Sequence, residues 1–384
     1  MTIRRIILVL TLVSFLCPAG AQEKPSFFRR TIESLAAPSV ELDPEAVYQP
    51  KAGWTFALTG ELRQALFSQH SDFVVRIAGE EGSSQETPIM MNTTLRGDVH
   101  KVLGFQAGYG NLSLSLSKKI GGGGENSTFA FDYMDAGYAL QLQYFKYNQP
   151  IDYFFAIGWE GTDKYMSDEG VSNEPGMLKA LIADAMYFFN RRAFSYSSAY
   201  RGNKIQRRSA GSWMFGTKVI LSDYNMDPAE DFVSWSGGQA RQSSSQVSFG
   251  GGYSYNFVPL HRHPYGDRDK GLRNITVNVT AMPLVTLFNL FSSTIYEFDI
   301  DENDNFVFEP TWRTRMNGKL KFNYVLRAGI GYCHDLYSFN ISTSYDSFGY
   351  LGETVIVEDD QIRDMDTVGE FSRWNVSLRI GKRF

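Results

Sequence analysis

The chain alternates apolar and polar residues in many short segments, and its last segment, residues 373–384, shows the pattern clearly. One face of this segment carries Trp374, Val376, Leu378 and Ile380, and the other carries Arg373, Asn375, Ser377 and Arg379. Such a period of two is typical of a strand between two unlike environments. We therefore predict that Val376 and Leu378 face lipid and that Ser377 and Arg379 face a lumen. An aromatic last residue, Phe384, after many similar strands is typical of a bacterial outer-membrane β-barrel.

Similar two-sided segments recur along the chain and predict an all-β, membrane-spanning, antiparallel up-and-down barrel. Twelve strands are predicted, at 53–67, 91–109, 111–120, 127–146, 150–161, 178–190, 209–223, 245–258, 273–292, 317–332, 336–348 and 370–384. Fourteen strands are the alternative if the segment from Phe73 to Ile77 also joins the sheet. Strand 127–146 changes its apolar parity near Gly137, which predicts a β-bulge at that position.

The connections between these segments fall into two classes that predict the direction of the barrel. Short connections lie at 110–111, 148–150 and 333–335, whereas long polar ones lie at 68–90, 162–177, 224–244, 293–316 and 349–369. Outer-membrane barrels place short turns in the periplasm and long loops outside the cell. We therefore expect the short turns and both termini to be periplasmic, and the long connections to be extracellular.

Composition agrees with a barrel and excludes a helical membrane protein. Aromatic residues make up 15% of the chain, which has 35 glycines and a mean hydropathy of −0.25. A negative mean suits a barrel because only alternate residues face lipid. No run of about 20 apolar residues follows the N-terminal region, so a spanning helix is excluded. A soluble β-sandwich is the alternative, but it would have to bury all these long aromatic faces in one core.

The N-terminal segment predicts export. Residues 1–21 combine Arg4 and Arg5 with an apolar run and a small-residue cleavage site at 19–21, which indicates a signal peptide. Lipid attachment at Cys17 is the alternative, and the bulky Leu16 before it disfavours that processing. Residues 22–51 are predicted to be a periplasmic lead-in and residues 52–384 the barrel. Export would leave Cys333 as the one cysteine and a net charge of −7, which does not suit nucleic-acid binding.

One segment resembles a known family. Residues 189–200 read Phe-Asn-Arg-Arg-Ala-Phe-Ser-Tyr-Ser-Ser-Ala-Tyr, and a basic Ser-Ala-Gly-Ser segment follows at 206–212. These residues, with Asp43, Tyr48, Pro50, Trp54 and the strand from Phe322 to Gly331, are similar to an uncharacterised barrel family of the Bacteroidetes outer membrane, domain of unknown function 4421. The resemblance implies an outer-membrane barrel and no assigned activity, catalytic residue or ligand.

The best candidate for function is a basic insert at residues 191–208. It carries six cationic side chains and no acidic one, and these cations are Arg191, Arg192, Arg201, Lys204, Arg207 and Arg208. Such charges cannot face lipid cheaply, so we predict that the insert leaves the wall and occupies the periplasmic mouth or the lower lumen. Three roles are open: a structural plug paired with luminal carboxylates such as Glu61, Asp98 or Asp184, a docking segment for a periplasmic partner, or a constriction that favours anions.

Other candidate chemistry is weaker. His70-Ser71-Asp72 is not spaced like a catalytic triad, because neighbouring side chains of a strand face opposite sides. The segment His261-Arg262-His263 is interpreted as a solvated periplasmic turn, and His100 as a luminal residue. The four glycines at 121–124 are interpreted as an outer loop rather than a phosphate loop.

Two acidic stretches are candidates for weak divalent-cation binding that would link the loops to lipopolysaccharide. Their acidic residues are Glu297, Asp299, Asp301, Glu302, Asp304, Glu309, Glu358, Asp359, Asp360, Asp364 and Asp366. The first stretch lacks the glycine and the terminal ligand of an EF-hand, so a flexible soluble loop is the simpler interpretation. We otherwise expect no cofactor and no resident metal.

Three classes of function are compatible with these features. A pore or transport-type protein for small solutes or lipids is favoured, a non-enzymatic component of envelope structure or assembly is the alternative, and a lipid-modifying membrane enzyme is the third. Expected partners are outer-membrane lipids, including lipopolysaccharide, and, during biogenesis, periplasmic chaperones and the barrel-assembly machinery. We expect no catalytic residues and no nucleic acid.

Overall fold

A computed structural model describes residues 40–50, 53–78, 84–121, 125–149, 151–159, 165–172, 176–229, 233, 239–262, 272–300, 306–318, 321–355 and 362–384. The predicted signal peptide lies outside the described residues, and so do the first part of the lead-in, residues 122–124 of the glycine run and His263. Much of both acidic stretches, 301–305 and 356–361, also lies outside them. Those predictions stay predictions.

Strands account for most of the described chain. In order they are β1 (Val47–Tyr48), β2 (Trp54–Ala78), β3 (Ser84–Gly97), β4 (His100–Tyr109), β5 (Leu112–Lys119), β6 (Glu125–Met134), β7 (Tyr138–Gln149), β8 (Ile151–Trp159), β9 (Tyr165–Val171), β10 (Gly176–Phe188), β11 (Ile205–Gln206), β12 (Ala210–Asn225), β13 (Gln239–Arg262), β14 (Arg273–Ile300), β15 (Phe306–Gly318), β16 (Lys321–His334), β17 (Tyr337–Val355) and β18 (Ile362–Arg383). A one-turn helix, α1 (Ser197–Tyr200), precedes β11.

Twelve of these strands form a closed antiparallel barrel, which confirms the predicted fold class. The wall runs through β2, β4, β5, β6, β7, β10, β12, β13, β14, β16, β17 and β18. It closes where β18 pairs with β2, from Arg383 opposite Thr55 to Ile362 opposite Val75. Strand β10 pairs directly with β12, so the insert between them takes no place in the wall.

The two ends of the barrel differ. The terminal end holds Trp54 at the start of the wall, Phe384 at its end, and the short turns at 110–111, 135–137 and 335–336. The backbone N–H of Phe384 donates to the Trp54 carbonyl across 2.9 Å. The loop end holds the connections that were predicted to be long, whereas the insert between β10 and β12 leaves the wall at the terminal end. The loop-end connections contain more strand than predicted: β3 begins within 68–90, at Ser84, and Phe73 to Ile77 continue β2 without adding a wall strand.

Three predicted strands were wrong in detail. Segment 127–146 is a hairpin, not one bulged strand: β6 and β7 pair from Met134 opposite Ala139 to Glu125 opposite Asn148. The change of parity marks a tight turn, in which the Asp135 N–H donates to the Tyr138 carbonyl across 2.8 Å. Segment 91–109 likewise divides into the end of β3 and all of β4.

Strand 150–161 is not a wall strand. Its counterpart β8 pairs with β3 and β9 in a small sheet that extends from the loop-end part of β2. The connection at 148–150 therefore lies at the loop end, opposite to its predicted place. The predicted number of twelve was right because the hairpin adds one strand and the loss of β8 removes one.

The outer surface of the wall is apolar, and the inner surface is largely polar. In β18, Leu378 is 48% exposed on the outside, whereas Arg379 is 7% exposed on the inside, as the alternation in this strand predicted. Aromatic side chains cluster outside near the terminal end, for example Trp54 with Tyr109 and Trp213 with Tyr253. An apolar band with an aromatic girdle is typical of membrane barrels. Within the described part of the chain, no helix has the length and apolar character needed to cross a membrane.

Candidate functional site

The insert folds back into the lumen at the terminal end, where it forms a plug (residues 189–209). The Tyr200 hydroxyl donates to Asn278 of β14 across 2.8 Å, and Asn340 of β17 donates to the Ala199 carbonyl across 2.9 Å. Helix α1 reaches the wall because β16 has glycines at its contact points. A Cβ at Gly329 would lie 2.8 Å from the Tyr200 ring, and one at Gly331 would lie 2.7 Å from the Ser198 carbonyl oxygen.

An apolar cluster fixes the plug to the wall. Phe194 and Tyr196 of the plug are fully or almost fully buried and pack on Phe188 at the end of β10, with ring centroids 5.4 and 5.1 Å apart. The cluster also includes Met214 and Met282 on facing wall strands. Burying each aromatic ring stabilises the plug by about 2–3 kcal/mol, so this part of the insert is a packed element of the barrel.

The six cations of the insert separate into two groups. Lys204 and Arg201 are buried in the lumen, whereas Arg191, Arg192 and Arg208 are exposed and Arg207 is intermediate. The Lys204 ammonium donates to Asp135 across 3.1 Å and to the Asn111 side chain across 2.7 Å. Burial lowers the pKa of Lys204 below its ordinary value, and the neighbouring Asp135 carboxylate offsets only part of this shift.

Two of the three carboxylates predicted to pair with the insert, Glu61 and Asp184, have other partners. Glu61 accepts from Arg63 of the same strand, and Asp184 accepts from wall residues. The insert pairs instead with Asp135 in the turn between β6 and β7.

A short N-terminal strap (residues 43–48) binds the plug through backbone and side-chain contacts. β1 of the strap pairs with β11 of the plug, where Val47 lies opposite Gln206. The Asp43 N–H donates to the Arg192 carbonyl across 2.9 Å, and Arg208 forms an exposed ion pair with Asp43 across 3.3 Å. The Gln206 side chain, itself fully buried, donates to the Ala46 carbonyl. The end of the predicted lead-in is therefore part of the plug structure.

A layer of charged side chains crosses the lumen above the plug. Lys218 of β12 donates across 2.7 Å to Asp346 of β17, which lies four strands away along the wall. It also contacts Asp184 of the neighbouring β10 at 3.1 Å. Arg327 donates to Asp184 across 2.8 Å, and Arg373 donates to Asp346 across 3.2 Å. We call these five residues the charge layer. Their bonds join strands that are not neighbours in the wall, so the charge layer bridges the lumen at this height.

Most of the charge layer was not predicted from the sequence. Lys218, Arg327, Asp346 and Arg373 each occupy an inward position of a two-sided strand. A charge within such a strand has to face the lumen, because the other face meets lipid. The alternation therefore predicts that each of these side chains faces the lumen. Their position at the same level along the barrel axis depends on strand register, which for example places Asp184 opposite Lys218.

Two chambers lie on either side of the charge layer. The polar chamber, between the charge layer and the plug, has a volume of about 180 Å³ and is lined by side chains such as Arg63, Gln106 and Asp132. The apolar chamber, on the loop side, has a volume of about 100 Å³. Its wall includes Phe145, Ile182, Ile220, Phe291, Phe348 and Phe371.

The charge layer and the apolar chamber are in direct contact. The Lys218 ammonium lies 4.6 Å from the centre of the Phe348 ring, and the Arg373 guanidinium lies 5.4 Å from the centre of the Phe145 ring. On the loop side, a second apolar cluster that includes Leu95, Met226 and Val233 lies over the chamber. A mainly apolar compartment therefore lies within an otherwise polar lumen.

The histidine candidates do not form a catalytic constellation. His70 contacts Asn92 at 2.6 Å and Asp72 at 3.2 Å, but Ser71 is fully buried on the opposite face of the strand. His100 is buried in the lumen, where it stacks on Tyr147 with ring centres 4.3 Å apart.

The interpretation of residues 261–263 as a solvated turn was wrong for His261. This residue lies on β13, and its ring contacts Arg207 of the plug at 3.2 Å. Among the described residues, no group of three or more His, Cys, Asp or Glu side chains is placed to hold a metal ion.

Comparisons with known proteins identify a family and distant structures. The family model "Domain of unknown function (DUF4421)" matches residues 82–384. No curated protein matches the sequence. The outer membrane protein OprG from Pseudomonas aeruginosa is 10% identical, with a TM-score of 0.32, and the match covers 88% of this chain and 98% of that one.

Two other solved structures match at the same sequence identity of 10%. The outer membrane protease OmpT from Escherichia coli is 10% identical with a TM-score of 0.26, and the match covers 87% of this chain and 97% of that one. The COG4313 outer membrane channel from Pseudomonas putida F1 is 10% identical with a TM-score of 0.24, covering 90% and 100%. At these scores the likeness carries no argument about activity.

Proposed function

This chain belongs to the DUF4421 family, and we propose that it is an outer-membrane pore or transport protein for a small apolar or amphipathic solute. The observation that carries the proposal is the apolar chamber inside the lumen. Ligand pockets are concave and largely apolar, with a few polar groups that fix orientation. Here, Phe145, Ile182, Ile220 and Phe348 provide the apolar wall. The charge layer below provides the polar groups.

Placement in the envelope follows from the same proposal. Both termini would be periplasmic, the loop end would be extracellular, and outer-membrane lipids would surround the apolar outer wall. A solute would enter from the loop end, rest in the apolar chamber, and pass the charge layer and the plug only after these have moved. Weak cation binding by the acidic loops would link them to lipopolysaccharide.

Planar-bilayer recording with benzyl alcohol as the probe solute tests this proposal. We expect wild-type protein to show a small, gated conductance that benzyl alcohol interrupts in brief blocking events. Ile220→Trp would fill the apolar chamber and remove these events. Ile341→Trp is the matched control, because Ile341 is 54% exposed on the outer wall and its replacement leaves the lumen unchanged.

A second candidate is a structural component of the envelope. The buried plug and the bonds across the lumen favour it, because both close the barrel. If neither wild-type protein nor a variant without residues 193–206 conducts, the pore proposal fails and the structural role is supported.

A further inference from the structure

The polar chamber carries more positive than negative charge. Five arginines and three acidic side chains line it. Three of these arginines have carboxylate partners: Arg63 donates to Glu61 across 2.6 Å, and Arg327 and Arg373 donate to the acidic residues of the charge layer. The two lining arginines without a carboxylate partner are Arg201 of the plug and Arg379 of β18, and the remaining acidic side chain, Asp132, lines the same chamber.

Among the described residues, no carboxylate lies within ion-pairing distance of Arg201 or Arg379. Arg379, on the wall, is bound by neutral acceptors alone: Gln106 at 2.6 Å, Ser338 at 2.9 Å and Asn340 at 3.1 Å. It also donates to the Arg201 backbone carbonyl across 3.0 Å, so the Arg379 guanidinium contacts the plug at Arg201. Two neighbouring guanidinium groups with only neutral partners are costly to bury, since each loses its hydration.

Arg201 has unused donor capacity. Its side chain donates to the Asn111 carbonyl across 3.0 Å, but its Nε, in a residue only 6% exposed, has no protein partner in the described structure. Arg327 Nε, which also faces this chamber, lacks one as well. The wall makes room for the Arg201 guanidinium at Gly108, where a Cβ would lie 3.3 Å from it. Neither Nε takes part in a salt bridge, although the Arg327 guanidinium pairs with Asp184 through its Nη2.

We propose that the polar chamber is a binding site for a small oxyanion, a carboxylate or a phosphate, held between Arg201 and Arg379. Guanidinium groups bind both anions through paired, charge-assisted hydrogen bonds. The nearby Asp132 carboxylate, whose Oδ1 has no protein partner, limits the charge that the site accepts and favours a singly charged anion. The proposal concerns binding and does not depend on conduction.

Isothermal titration of the full barrel protein in a non-ionic detergent tests this site. Sodium phosphate and sodium acetate are titrated separately, with sodium chloride adjusted to constant ionic strength. We expect one saturable site per chain for at least one of the two anions. Tighter acetate binding would assign the site to carboxylates and tighter phosphate binding to phosphate groups, and either result supports the proposal.

Variants distinguish this site from general attraction of anions. Arg201→Gln and Arg379→Gln should each weaken binding by about tenfold or more, because each removes one charged partner. Arg208→Gln is the matched control, since it removes the same charge from the plug at an exposed position and should leave the affinity unchanged. Heat-modifiable migration on gels shows that each variant is folded.

Two results would overturn the proposal. One is the absence of saturable binding of either anion by folded wild-type protein. The other is an equal loss of affinity in Arg208→Gln and Arg201→Gln, which would show a diffuse effect of net charge. If a glutamine variant does not fold, Arg201→Lys keeps the charge but removes paired donation, and unchanged affinity in that variant would also count against the site.

Discussion

At the scale of single residues, the side of the wall decides what each side chain does. Leu378 and Arg379 are neighbours in β18, yet one is exposed on the outer face and the other is buried in the lumen with four hydrogen-bond acceptors. The alternation in the sequence predicted the sides correctly. It did not predict these bonds, which make Arg379 part of the contact between the wall and the plug.

Leu378→Arg should destabilise the folded barrel by about 2–4 kcal/mol if the residue lies near the bilayer midplane, because a charge would face hydrocarbon. Urea unfolding in lipid vesicles, followed by heat-modifiable migration, measures the change. Leu378→Phe is the control and should be nearly neutral. An equal stability of the arginine and phenylalanine variants would contradict the outward placement.

The same structure changes what we expect of Arg379→Leu. Placement in the lumen would by itself make Arg379→Leu better tolerated than Leu378→Arg, because it puts no charge against hydrocarbon. In the structure it would leave several buried acceptors without their donor, and each of these would cost about 1–3 kcal/mol. We now expect the two variants to be comparably destabilised.

At the scale of elements, the plug is a separate packed unit that the strap and the wall hold together. Gln206 is its central hydrogen-bonding residue: its amide nitrogen donates to the carbonyls of Ala46, Ala193 and Arg208, and its amide oxygen accepts from the Ser195 N–H. One side chain thus joins the strap to both ends of the plug.

Gln206→Leu should loosen the plug without opening the barrel, because it removes these bonds while the strands of the wall keep theirs. We expect faster hydrogen exchange in residues 193–208 and unchanged exchange in the wall. Arg208→Gln, at the exposed edge of the plug, is the control and should exchange like the wild type. Unchanged protection of the plug in Gln206→Leu would show that apolar packing alone holds it.

At the scale of the whole molecule, the barrel has a closed terminal end, a polar chamber, a charge layer and an apolar chamber in succession. The wall does not need the plug for closure, since β10 pairs with β12 from Met177 to Phe188 and β18 closes on β2. In the proposed pore, the plug and the charge layer are the barriers to flow, and they can be tested one at a time.

Replacement of residues 193–206 by a short Gly-Ser bridge should raise single-channel conductance without preventing assembly. The deletion removes the packed plug but no strand of the wall. Planar bilayers measure the conductance, and heat-modifiable migration reports assembly. The double variant Arg191→Gln and Arg192→Gln is the control, since it changes charge at the mouth and leaves the plug in place. Unchanged conductance after the deletion would show that the charge layer alone limits flow.

Cysteine labelling of intact cells tests the direction of the barrel. A cysteine at Glu125, exposed at the loop end, should react with a membrane-impermeant maleimide, and a cysteine at Leu336, 41% exposed in a terminal-end turn, should not. The native Cys333 is buried and provides the background. Labelling at Leu336 but not at Glu125 would reverse the orientation.

Local sequence patterns were enough to predict the fold class, the sidedness of the strands and the departure of residues 191–208 from the wall. Each of these depends on local rules: strands alternate with a period of two, and cationic side chains do not face lipid cheaply. The same patterns also located most of the terminal-end turns, but the hairpin at Gly137 was misread as a bulge, because a change of parity is common to a bulge and to a tight turn.

Long-range strand pairing determines which strands form the wall, where β8 pairs and which charged side chains meet, and no local pattern predicts it. Lys218 and Asp346 are far apart in sequence and lie on strands four positions apart in the wall, so their contact depends on the curvature and register of the barrel. The same holds for the two chambers and for Arg201 beside Arg379. A local pattern fixes the face of a residue, but its height and its partner are set by every strand pairing between them.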